Sequence, residues 1–202
     1  LRPLHTPVEG ALSLRGLLAD HLTIYRSPRI AAPGAGWLFY TFCFLAILTV
    51  LPPYISPEWR AWVMGAMPLV SIAVSMTLGV WSLRVISAVQ LTQVGFVCSV
   101  AALIWLLMAP GLPAACLALA AGLGLVQGAT FASIPQLNTT ASTQAQAYGA
   151  LAQTGNLGNT IGTPALLAIL GVAGYAGMIW TAMFVLAGGF FVHAWMAMRR
   201  HH

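Results

Sequence analysis

The sequence predicts an all-α membrane protein, with six transmembrane helices as two inverted three-helix repeats and a short amphipathic interfacial helix ahead of them. Three observations carry this expectation. Charged residues make up only 5% of the 202-residue chain, 59% is hydrophobic, and the mean hydropathy is +0.87. Soluble domains carry about 25% charged residues. Six apolar segments, most of them near the ~20 residues that a spanning helix needs, are set apart by Pro, Gly and Arg. The charged residues collect at the chain ends and short loops, and between Val85 and Met198 there is no Asp, Glu, Lys or Arg.

Residues 1–33 form the one substantially polar segment, read as a cytoplasmic linker. Within Ala11–Tyr25, Leu14, Leu17, Leu18 and Leu22 recur at helical spacing, as expected of a helix lying at the membrane interface. Pro28, Pro33, Gly34 and Gly36 are expected to break the chain before a bundle spanning 34–200. The first span is Trp37–Leu51, ended by Pro52 and Pro53. Ala61–Leu83, interrupted by Pro68, is the second, and Val85–Met108 the third. Ala114–Leu137, Gln144–Gly171 and Tyr175–Met198 complete the six. Spans three and six lack an interior proline and have the most continuous apolar middles. They are expected outside, and the Gly-, Pro- and amide-bearing spans inside.

With the N-terminus cytoplasmic, Arg2, Arg15, Arg26, Arg29, Arg84, Arg199 and Arg200 are inside and only Arg60 is outside, the bias that orients membrane proteins. The net charge of +5 is therefore read as membrane orientation, with no nucleic-acid partner. The expected location is a cell membrane of the bacterial inner-membrane kind, multi-pass, both termini cytoplasmic. Trp37, Trp59, Trp62 and Trp195 fall near span ends, where aromatic belts form. Cys43, Cys98 and Cys116 lie in apolar runs and are read as small buried hydrophobes. Because the chain opens on Leu1 with nothing resembling a signal peptide, it is expected to be a piece of a longer polypeptide. His201 and His202 are set aside as native or as the stub of a tag.

Gln144–Gly171 is uncharged yet holds Gln153, Asn156, Asn159, Thr160 and Thr163 with Gly155, Gly158, Gly162 and Pro164. At about 100° per residue, Gln153, Asn156, Thr160 and Thr163 share one side of a helix, and the three glycines fall roughly opposite. The polar stripe either faces a cavity or bonds neighbouring helices as structural glue. The expected substrate-binding set at mid-depth is Gln127, Phe131, Gln153, Asn156, Thr160 and Tyr40, with Phe44, Thr49, Ser71 and Ser75 completing a wall. The alternative pairs Gln127 with Asn156, or each with backbone, and makes the aromatics core. Gly124-x-x-x-Gly128 and Gly158-x-x-x-Gly162 offer close helix approach. His193, six residues before Arg199, is read as snorkelling to the headgroups in preference to relaying protons.

No catalytic residue, metal site or cofactor is expected. There is no Gly-x-Ser-x-Gly, no His-Glu-x-x-His, and no intramembrane base besides His193. A channel lacks a carbonyl filter or a ring of charge here, and the loops are short for docking an ATPase.

The span layout, with GLVQGATFASIPQLN, a polar loop and AYGALAQTGNLGNTIGTPA, resembles the C-terminal half of a major facilitator superfamily transporter. The resemblance implies two six-span halves around a central site. It further implies secondary active transport of a small organic solute by alternating access, with the second half upstream in the same chain or in a homodimer partner. Gly155-x-x-Gly158-x-x-x-Gly162-x-Pro164 is similar to the family's antiporter Gly/Pro motif, with Thr163 interposed, which favours efflux. In GVWSLR, Gly79 and Arg84 are what remains of the family's gating signature, without its acidic residue or second glycine. An intramembrane enzyme, a six-span channel and a homodimeric membrane protein are the alternative readings.

Overall fold

Apolar backbone at membrane depth has to satisfy its hydrogen bonds internally, and the long segments do so as helices. The computed structural model describes residues 21–200, which are almost wholly helical and contain no strand. Helix α1 spans Ala31–Val50 and is followed by a 3₁₀ turn, Pro52–Tyr54. Helix α2 spans Pro57–Val74 and runs on through a π-helical turn, Ser75–Gly79, to Ser82. Helices α3 and α4 are Ala88–Met108 and Pro113–Leu137. The last helix, Ala141–Arg199, has 59 residues and breaks at Gly174, whose φ of 66° and ψ of −167° are not helical. That glycine divides it into α5 (141–173) and α6 (175–199). Among the described residues five helices are long and apolar enough to cross a membrane, and the break makes six segments of them.

Local chemistry fixes the ends. Pro57 and Pro113 open α2 and α4, where a missing N–H costs nothing. Ser87 and Gln90 form a capping box at α3, and Thr140 accepts the Thr143 N–H at α5. In the α3–α4 turn Gly111 has a φ of 69°, and a Cβ there would strike the Tyr54 carbonyl.

Named contacts set the directions. Gly34 meets Ala150, Gly155 meets Trp37 and Gly162 meets Phe42, so α5 runs parallel to α1. Gly36 meets His193, the Cys43 thiol meets the Ala182 carbonyl, and Tyr54 meets Tyr175, so α6 runs back along α1. Helix α4 is antiparallel to α1 and α3, through Gln127–Tyr40 and Gly122–Ser99, and parallel to α2, through Gly124–Ser71 and Gly128–Ser75. The six segments therefore alternate in direction.

Helices α1 and α4 are the most buried, and their inward faces form the main apolar cluster with Phe96, Leu103, Leu106, Met178 and Leu186. Outward faces expose Val94, Val97, Ile104 and Trp105 on α3, and Trp180, Phe184 and Phe191 on α6. Contrary to expectation, spans two and five are not enclosed. Each packs one side on the central pair and leaves the other uncovered.

Three further expectations are corrected. Helix α1 begins at Ala31, not Trp37, because Pro33 sits in its first turn and Gly34 and Gly36 are packing positions instead of breaks. Trp37 consequently lies inside the helix and not at its end. Cys43 and Cys116 are buried, but Cys98 is exposed, on the outward stripe with Val94 and Val97. Of the expected amphipathic helix, residues 21–26 are helical; its remainder lies outside the described residues, as do His201 and His202.

A Cβ at Gly162 would overlap the Phe42 carbonyl, whereas one at Gly149 meets nothing within 4 Å. Gly162→Val is expected to destabilise the bundle by about 1–3 kcal/mol through overpacking. Gly149→Ala is expected to be neutral or stabilising by up to about 1 kcal/mol. Melting temperatures in detergent check both.

Candidate functional site: an amide and aromatic face

Along α1, Trp37, Tyr40 and Phe44 recur at helical spacing and form one aromatic row. Trp37 stacks on Tyr40 with centroids 4.7 Å apart, and Tyr40 on Phe44 at 5.2 Å. Phe131 of α4 meets Trp37 edge-on at 5.0 Å and is itself 40% exposed. Beside this row, the Tyr40 hydroxyl and the Ser71 hydroxyl both donate to the Gln127 Oε1, at 3.4 Å and 3.3 Å. These long bonds draw α1, α2 and α4 together and leave the Gln127 NH₂ without a partner among the described residues. Close approach of α2 to α4 at Gly124 and Gly128 brings Ser71 within reach.

The second group lies on α5. Gly155, Gly158 and Gly162 face α1 and are buried, which turns Gln153, Asn156, Asn159 and Thr160 to the uncovered side. The Gln153 Oε1 accepts from the Tyr25 hydroxyl at 2.9 Å, and its Nε2 lies 3.0 Å from the His21 Nε2. Partial burial raises the pKa of the Tyr25 phenol. Gln153 is thus tied to the segment before α1, apart from the Tyr40–Gln127 cluster. The Thr160 hydroxyl donates back to the Asn156 carbonyl at 2.8 Å. Pro164, having no N–H, leaves the Thr160 carbonyl without its helical partner.

The predicted substrate-binding residues therefore fall into two groups on either side of α1: Tyr40, Gln127 and Phe131, and Gln153, Asn156 and Thr160. Trp37 bridges them, touching Gly155 on one side and Tyr40 and Phe131 on the other. Gln127 bonds Tyr40 and Ser71, not Asn156. Thr49 is exposed and bonds the Leu45 carbonyl within its own helix. Arg84 is exposed in the turn after α2.

His193 is a correction. It does not reach the headgroups: it is fully buried beside Gly36, Thr130 and Phe96. Both ring nitrogens and the Thr130 hydroxyl lack a hydrogen-bond partner among the described residues. Its position was legible, because Ala182, Leu186, Gly189 and His193 recur at spacings of four, three and four on the buried stripe of α6.

No protein-family profile and no curated protein matches this chain. Among the described residues no group of three His, Cys, Asp or Glu side chains is placed to hold a metal ion. Both groups offer amide side chains, and the α1–α4 group sets its amide beside aromatic rings, without formal charge. That chemistry suits a neutral or zwitterionic organic molecule with an apolar part.

Gln127→Leu would strand the buried Tyr40 hydroxyl and is expected to destabilise by about 1–3 kcal/mol. Adding Tyr40→Phe is expected to recover most of that loss, a coupling read from a double-mutant cycle of detergent melting temperatures.

Proposed function

We propose that this chain is one half of a secondary active transporter that moves a small neutral or zwitterionic organic solute across a cell membrane by alternating access. The observation that carries the reading is the uncovered face of α5. Asn156 and Asn159 have no side-chain hydrogen bond among the described residues and are exposed. An unpartnered amide in hydrocarbon costs several kcal/mol. A wet pathway, closed by a second six-helix half, removes that cost; lipid does not.

Two further observations support it. The pairings α2–α4 and α3–α4 have counterparts in α5–α1 and α6–α1, so exchanging the first three segments for the last three leaves the pattern unchanged. That is the packing expected of two inverted three-helix repeats. The glycine stripe of α5 presents a smooth surface to α1 over which the segments can shift, while Pro164 locally frees backbone. Gly155, Gly158, Gly162 and Pro164 are accordingly assigned to gating, and Arg84 to the loop that closes with it. The arginine distribution supports a cytoplasmic position for both termini, and the Gly/Pro run favours efflux.

Reconstituted protein is expected to move solutes from a panel of fluorescent zwitterions when a pH gradient is imposed, without ATP. Transport that needs ATP and ignores the gradient would remove the carrier reading. Asn156→Leu is expected to lower that flux at least about tenfold, the loss of a ligand hydrogen bond, with the melting temperature unchanged. In a Cys98→Ser background, a water-soluble maleimide is expected to label Asn156→Cys but not Val97→Cys. Equal protection of both would place the α5 face in lipid.

A further inference from the structure

At the arginine-rich end of the bundle four segment ends enclose an open cleft of about 620 Å³. Its walls come from the residues before α1 (Arg29), the start of α3 (Ser87, Gln90, Gln93), the end of α4 (Gln136) and the end of α6 (Arg200). None of these residues belongs to the amide and aromatic groups described above.

The polar groups in it are sorted by sign. The Gln90 Oε1 accepts from the Ser87 N–H at 3.0 Å and from the Ser87 hydroxyl at 2.9 Å. The Gln136 Oε1 accepts from the Ala88 N–H at 2.8 Å. Because backbone N–H groups can only donate, both amide orientations are fixed. Their oxygens are consumed, and their NH₂ groups remain to donate. Arg200 spends one Nη1 bond on the Pro28 carbonyl, at 3.0 Å, and keeps its other donors. Arg29 and Arg200 both line the cleft, and burial first, then the charge of Arg29, lower the pKa of Arg200. The one carboxylate among the described residues, Glu58, begins α2 at the opposite end of the bundle. The start of α3 adds the positive end of a 21-residue helix dipole.

We propose that this cleft binds a phosphate group, presented by an anionic lipid headgroup or by a soluble phosphate. A phosphate can bridge the two guanidiniums and accept from the NH₂ groups left over. Basic clefts between helix ends on the cytoplasmic side of a membrane suit such headgroups.

Full-length protein, delipidated in dodecyl maltoside, is titrated with inorganic phosphate against chloride at equal ionic strength. A parallel titration uses phosphatidylglycerol against diacylglycerol of the same chains, and melting temperature is the readout. A saturable rise with phosphate identifies a soluble ligand; a rise with phosphatidylglycerol alone identifies a headgroup. Arg29→Gln and Arg200→Gln are expected to weaken the response at least about tenfold. Gln93→Glu breaks no bond of the fold and places a carboxylate in the cleft. It is expected to preserve or raise the melting temperature without ligand while abolishing the response. No rise with either probe, or a rise undiminished in Gln93→Glu, overturns the proposal, even if an Arg200 variant fails to fold.

Discussion

The structure depends on how closely other helices can approach α1. In lipid there is no hydrophobic force between apolar helices, so association rests on van der Waals contact and interhelical hydrogen bonds. Here contact is bought with glycine. Gly155, Gly158 and Gly162 let α5 lie on the backbone of α1, Gly36 admits His193 of α6, and Gly124 and Gly128 seat α4 on α2. Gly95 and Gly122 do the same between α3 and α4. With α1 and α4 gripped at the centre, α2 and α5 can each cover only one side of that pair, and their opposite sides stay open. The open faces follow from the grip itself.

Polar side chains in the spans divide into self-satisfied and outward-reaching groups. Thr41, Thr92, Ser99, Thr154 and Thr181 each return a hydroxyl to a carbonyl three or four residues back, so they cost little and ask for no neighbour. Amides reach further, even where one also bonds its own helix, as Asn138 does to the Ile134 carbonyl at 3.1 Å. Gln127 and Gln136 therefore join helices, Gln153 reaches the segment before α1, and Asn138 donates to the Arg29 carbonyl. The amides, more than the hydroxyls, mark where this chain meets something beyond a single helix.

Much of the span layout was legible because punctuation and periodicity agreed. Prolines sit where α2 and α4 begin, Ser87 and Thr140 cap the starts of α3 and α5, and Gly174 separates the last two segments where the apolar runs divide. At the start of α1, Pro33, Gly34 and Gly36 look like breakers in the sequence but lie inside the helix. In a helix's first turn proline is harmless, and in tightly packed helices glycine is contact surface. The wheel of α5 separated its amides from its glycines, but a wheel gives direction without a partner. It could not show that Gln153 meets Tyr25, or that α1 stands between the two halves of the predicted binding set. The nearness of His193 to Arg199 in sequence points it to the headgroups, whereas its spacing from Gly189 and Leu186 turns it inward. The bond from Arg200 to the Pro28 carbonyl joins the two ends of the described chain, which no local pattern encodes.

The two kinds of uncovered surface argue differently about what lies against them. On α3 and α6 the exposed residues are Val94, Val97, Trp105, Phe184 and Phe191, which lipid satisfies completely. On α5 Leu157 and Ile161 alternate with Asn156, Asn159 and Thr160, a mixed face that neither lipid nor bulk water suits alone. Thr160 has its hydroxyl bonded inside the helix, so the unmet demand narrows to the two asparagines. Their amides need water or another protein surface at the depth where the flanking leucine and isoleucine need apolar contact. A second helical unit whose facing side is similarly mixed meets both demands at once. Under the proposed function, the passage between the two units is lined by the surface that gripping α1 with glycines left uncovered.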